Sequence, residues 1–80
     1  MNTYQIHYFG LLRERRGLDD ETVTHSANTA RELYESLAAE HPFGMPCHDL
    51  RAAVNDEMVS WDHALKDGDH VAFLPPMSGG

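Results

Sequence analysis

A single cysteine, Cys47, leaves this 80-residue chain without an intramolecular disulfide, so whatever it folds into is held together without a covalent staple. Cationic side chains are scarce as well. Six Lys and Arg against thirteen Asp and Glu give a net charge of -7 with His neutral, a field that repels phosphate backbones and anionic membranes. Nucleic acid and membrane are therefore not expected partners, whereas a protein with a basic docking surface suits the charge. No apolar stretch approaches the roughly 20 residues of a membrane span. The opening Met1-Asn2-Thr3-Tyr4-Gln5 has neither the basic start nor the apolar run of a signal peptide, so a cytoplasmic location is expected. Internal repeats and low-complexity segments are absent. The six histidines form no H-E-x-x-H, no C-x-x-C accompanies them, and no His pair has helical ligand spacing, so neither metal nor bound cofactor is expected. Met45, Cys47 and His48 are soft ligands close together, but a lone thiol in a Pro-containing loop, with no activating partner in sequence, reads as ordinary loop. Asp62-His63 reads as a turn and Trp61 as core or rim.

What is present suits one globular domain, with 41% hydrophobic and 24% charged residues. Thr3 to Phe9 alternates, placing Tyr4, Ile6 and Tyr8 on one side of a first strand. The segment Gly10 to Gly17 suits a short helical turn, and Glu21 to His25 a second strand antiparallel to the first. Thr29-Ala30-Arg31-Glu32 has the capping-box pattern. The helix it opens runs to about Glu40, with Ala30, Leu33, Tyr34, Leu37 and Ala38 on one apolar face and Pro42 setting its end. Phe43 to Asp49 reads as a loop. Leu50 to Asn55 and Met58 to Ser60 form a hairpin through Asp56-Glu57, and Trp61 to Asp69 is a connection anchored by Leu65 and closed by Asp67-Gly68. His70 to Leu74 is the final strand. The first and last strands are the long apolar ones, and pairing them side by side in parallel gives a mixed sheet of about five strands curled around one main helix. That α+β architecture is the β-grasp, or ubiquitin-like, fold.

The chain's last ten residues follow a different logic. Pro75-Pro76 cannot continue a ladder, and Met77-Ser78-Gly79-Gly80 has no periodicity, so a β-grasp domain over residues 1–76 and a flexible tail over 77–80 are expected. Extended, the six residues from Pro75 reach about 20 Å. Gly79 and Gly80 lack Cβ and can pass a channel too narrow for other residues, leaving the Gly80 carboxylate as the one group able to react. Activation of a carboxylate ordinarily means adenylation. Strand parity adds a surface: with Tyr4, Ile6, Tyr8, Val71 and Phe73 facing the helix, Phe9 and Leu74 point to the opposite, uncovered face, where Met58 joins them. The competing arrangement has the connection at Trp61 to Leu65 covering Phe9 or Leu74.

Three segments carry a family resemblance. Tyr8-Phe9-Gly10 with Arg13-Glu14, Ala53-Val54-Asn55 through Asp67-Gly68-Asp69, and Val71 to Gly80 resemble the corresponding stretches of the molybdopterin synthase small subunit, the MoaD-type sulfur carrier of the MoaD/ThiS ubiquitin-like family. Gly10 stands where that family usually has Ala, and Met77 where it has Val. The resemblance implies that an E1-like adenylyltransferase uses ATP and Mg to adenylate Gly80, and that a sulfurtransferase supplies the sulfur of a Gly80 thiocarboxylate. It implies a large molybdopterin synthase subunit as partner, in a heterotetramer of two small and two large subunits, and no activity for the small subunit alone. It places partner-binding hydrophobics at Phe9, Met58 and Leu74, with Pro75, Pro76, Met77 and Ser78 of the arm entering the partner. Three other readings stay open: a thiamine-pathway sulfur carrier, a ubiquitin-like modifier of lysines, and a non-covalent β-grasp interaction module.

Overall fold

A computed structural model describes residues 1–76 of the chain. Five strands form one mixed sheet: β1 (Asn2–Tyr8), β2 (Asp20–His25), β3 (Arg51–Val54), β4 (Glu57–Val59) and β5 (His70–Leu74), in the spatial order β2-β1-β5-β3-β4. The central pair β1 and β5 is parallel, with Ile6 opposite Val71 and Tyr8 opposite Phe73, and the other pairs are antiparallel. This is the β-grasp arrangement expected from two long apolar strands that need neighbours on both sides.

Two helices lie in the connections, where one main helix is expected from sequence: α1 (Gly10–Arg16) and α2 (Ala30–Glu40). Gly17 closes α1 in the left-handed region at φ 80, its N–H donating to the Arg13 carbonyl, which is why the glycine stands there. At the start of α2 the Glu32 N–H donates to the Thr29 hydroxyl, and the Glu32 carboxylate accepts from the Thr29 N–H, completing the capping box. Pro42 ends the helix as expected, leaving His41 extended.

The core lies between the concave sheet face and α2. Tyr4, Ile6, Tyr8, Val71 and Phe73 from the sheet meet Ala30, Leu33, Tyr34 and Leu37 from the helix, all buried, and Leu65 is buried as anticipated. Each of the larger aliphatic and Phe side chains among them contributes roughly 1.5–3 kcal/mol on leaving water. Tyr34 sets its ring edge on Phe73 with centroids 5.1 Å apart, and Trp61 stacks on the same Phe73 at 6.0 Å, a rim position. The buried tyrosines keep their hydroxyls paired: Tyr4 donates to the Ala27 carbonyl and Tyr34 to the Met45 carbonyl, each at 2.6 Å.

Three local expectations change. The hairpin turns at Asn55-Asp56 (φ 52 and 71), one residue earlier than Asp56-Glu57, so β4 begins at Glu57. Two successive positive φ values are what a two-residue turn of the right twist requires, and Asn and Asp tolerate them. Phe9 is the N-cap of α1 and no longer part of β1. Within the 43–49 loop, Cys47–Asp49 makes a single 3-10 turn. Asp62 ion-pairs with Arg31 across the helix and the His63 N–H bonds the Ser60 carbonyl, a turn as read. Among the described residues no helix is long and apolar enough to cross a membrane.

Candidate functional site

Among the described residues no helix covers the convex face of the sheet, and strand parity decides what it shows. Along β5, Val71 and Phe73 are buried on the helix side, while Ala72 and Leu74 turn outward. Leu74 pairs with Arg51, and Ala72 with Ala53, which pairs in turn with Met58 of β4. Phe9, held extended by the entry into α1 (φ -131, ψ 153), comes alongside. Phe9 and Met58 are 47% and 60% exposed, too much for core residues of their size.

Together with Leu11, Met45, Pro75 and Pro76 these side chains line an open groove of about 1060 Å³, with Glu14 and Arg51 as charged members. The connection 61–65 lies elsewhere: the Leu65 N–H bonds the Asn28 carbonyl and the Arg31 N–H bonds the Trp61 carbonyl, on the helix side of the sheet. This connection therefore does not cover Phe9 or Leu74. An apolar groove with a charged margin is the surface type that excludes water against another protein.

The groove lies where the chain leaves the sheet. Gly10 adopts φ +55, and a Cβ there would stand 3.0 Å from the Pro75 Cγ. The residue that departs from the family pattern thus permits a close approach of α1 to the first residue of the carboxyl-terminal arm. Phe9, Met58, Leu74, Pro75 and Pro76 are brought together as expected. Met77, Ser78, Gly79 and Gly80 lie outside the described residues. Leu11 and Met45 also line the groove, a place the sequence did not indicate for either. Leu11 neighbours the buried Leu12 in a helix of seven residues, too short for its period to separate the outer from the inner leucine.

The base of α1 is tied down by a polar lock. Glu21 accepts from the Tyr8 hydroxyl at 2.7 Å and from Arg16 through both carboxylate oxygens, at 3.0 and 2.7 Å. The Arg16 hydrogen bonds hold the Glu21 carboxyl below its usual range against the opposing effect of burial. Burial, then the carboxylate it faces, pushes the Tyr8 hydroxyl well above an ordinary tyrosine, so it stays a donor.

The loop ligands do not converge. Met45 lines the groove, Cys47 packs partly buried against the core, and His48 is exposed with its Nε2 3.5 Å from Asp49. Among the described residues no three or more His, Cys, Asp and Glu gather as a metal cage.

The ThiS family matches residues 6–80, nearly the whole chain. The chain belongs to the ThiS family. Its resemblance to MoaD-type carriers is borne out by 39% identity over 79 residues to the molybdopterin synthase sulfur carrier subunit of Escherichia coli (strain K12), covering 95% of this chain and 98% of that one. Among solved structures, this ThiS-family chain is similar to one in the protein-protein complex of subunits 1 and 2 of the molybdopterin-converting factor from Helicobacter pylori, with TM-score 0.67, 26% identity and coverage of 98% and 99%. Small archaeal modifier protein 1 of Haloferax volcanii superposes with TM-score 0.81 at 21% identity, covering 96% and 100%, a likeness of fold alone.

Proposed function

We propose that the protein is the sulfur-carrying small subunit of a molybdopterin synthase, with the Gly80 carboxylate as its reactive group and residues 77–80 as the arm that delivers it. The observation that carries this reading is the apolar groove of Phe9, Met58, Leu74, Pro75 and Pro76, lying beside the end of the last strand in a chain whose sequence continues to Gly79-Gly80. It is supported by a family match that runs through residue 80 and by a relative bearing that function over nearly its full length.

The chemistry begins in a separate E1-like adenylyltransferase. There the Gly80 carboxylate displaces pyrophosphate from Mg-bound ATP, and a persulfide supplied by a sulfurtransferase displaces AMP. Cleavage of the resulting acyl disulfide by a second thiol leaves the thiocarboxylate. The carrier then docks by its groove on the large subunit and threads Gly79-Gly80 into that subunit's active site. Two charged carriers provide the two sulfurs of the dithiolene, in a heterotetramer of two small and two large subunits. Binding energy from the groove, remote from the reacting atoms, holds the sulfur at its target. No catalysis by the small subunit alone is required.

Deleting Gly80 withdraws the carboxylate by about 3.5 Å, and a misplacement of about 1 Å can cost roughly 100-fold in rate. The expected result is a folded chain that no longer supports molybdopterin formation in a reconstituted assay. Intact mass spectrometry of the chain, charged in cells, should find the sulfur-for-oxygen difference on the last residue. Undiminished synthesis by the deletion variant would overturn the proposal. An adduct on a partner's lysine would mark a modifier, and charging that feeds only thiazole synthesis a thiamine-pathway carrier.

A further inference from the structure

On the convex face, at the end of β5 away from Leu74, the fold brings together two histidines that are 63 residues apart in sequence. His7 Nε2 and His70 Nδ1 stand 3.0 Å apart, the rings within 8° of parallel and their centroids separated by 5.2 Å. Those three values are compatible only with rings lying nearly edge to edge, one nitrogen lone pair facing the N–H of the other. The parallel register of β1 on β5 produces this arrangement, because Gln5 is opposite His70 and His7 opposite Ala72, making the histidines diagonal neighbours on one face. The pair borders a cleft of about 270 Å³ shared with Asn55, Asp56, Ala53 and Ala72, open to solvent.

We propose that His7 and His70 form a two-imidazole binding site for a tetragonal divalent transition ion, Cu(II) foremost. Metal–nitrogen bonds of about 2.05 Å spanning that separation subtend about 94° at the ion, close to the right angle of a tetragonal site and short of the tetrahedral angle that zinc prefers. Among divalent first-row ions, imidazole sites bind copper most strongly. Coordination requires both facing nitrogens bare. When both rings are neutral, the donating ring moves its proton to its other nitrogen through solvent, so no net proton is released, and each ring charged beforehand releases one. The rings then tilt about their second side-chain torsion, a broad one for histidine, to aim both lone pairs at one point. Asp56 offers a carboxylate from the cleft wall, Asp20 lies opposite His7 on β2, and the net charge of -7 raises the local cation concentration. No third protein ligand completes a cage among the described residues, so water fills the remaining positions and the ion exchanges readily. The site is independent of the carboxyl-terminal chemistry.

The test uses the full chain carrying Cys47→Ser, so that the thiol does not reduce the probe, titrated with Cu(II) alone and followed by electron paramagnetic resonance and calorimetry. The expected result is one ion per chain with hyperfine structure from two nitrogens. His7→Gln and His70→Gln should each remove one nitrogen and weaken binding at least tenfold, while His63→Gln changes nothing. Retention of two-nitrogen binding in both variants, loss of binding in His48→Gln instead, or no binding below about 100 µM (about -5.5 kcal/mol) overturns the assignment. Circular dichroism of each variant identifies any that fails to fold, and for such a position the asparagine variant replaces glutamine.

Discussion

Glu21 accepts three hydrogen bonds from two side chains, and its acidity follows from them. The Arg16 guanidinium, with the Tyr8 hydroxyl helping, favours the carboxylate form, so the folded-state pKa lies below the 4.5 of a free glutamate while the unfolded value does not. A depressed folded pKa contributes stability that is fully present above the unfolded value and disappears as pH falls through the folded one. Glu21→Gln should therefore cost about 1–2 kcal/mol in urea unfolding at pH 7, the range for a charged, partly buried hydrogen-bonded pair. The deficit should shrink as the pH is lowered below about 4, where the native carboxyl is protonated too. A deficit unchanged between pH 7 and pH 3 would show that Gln disturbs packing and not charge. Tyr8 shows how one side chain serves two layers: its ring is core, and its hydroxyl reaches the lock that seats α1.

At the scale of elements, α2 contributes four buried side chains and β5 two, yet they are specified differently. The helix is delimited locally, by the reciprocal Thr29 and Glu32 bonds at one end and Pro42 at the other. Thr29→Ala should cost about 1 kcal/mol in thermal or urea unfolding without moving Phe9, Met58 or Leu74, which hang from the sheet and the entry to α1. No loss would show that the Thr29 hydroxyl contributes nothing as a cap. The β3–β4 hairpin is instead delimited by contacts from afar. Asn55 donates to the Asp69 carboxylate and accepts from the His70 N–H, each at 3.0 Å, and this clamp draws Asn55 into the turn ahead of Asp56. Local chemistry favours Asn55-Asp56 over Asp56-Glu57 as well, because Asn and Asp tolerate positive φ better than Glu.

For the whole molecule, one sheet divides its residues between faces: the concave side carries the core and the convex side carries the apolar groove. The convex face is itself divided, with Ala53, Ala72, Met58 and Leu74 toward the exit of the arm and Thr3, Gln5, His7, Thr22 and Thr24 toward β2. If the apolar half is the docking surface, Phe9→Lys or Leu74→Lys should weaken the complex with the large subunit more than tenfold, over about 1.4 kcal/mol, in calorimetric titration. Both chains should stay folded, because neither side chain belongs to the buried core. Unchanged affinity would remove this surface from the mechanism.

The sequence by itself determined the strands, the main helix and the face each presents, since a period of two or 3.6 and a capping box act over neighbouring residues. It also marked Phe9 and Leu74, because parity along a strand is local once the buried side is known, and Met58 joined them from the neighbouring strand and the family resemblance. The tertiary structure alone decided which residues distant in sequence meet. The groove gained Met45 and Leu11, and Gly10 acquired its reason in Pro75. His7 and His70 match no ligand spacing, because a motif is written along the chain, whereas the register of two parallel strands brings side chains together across it.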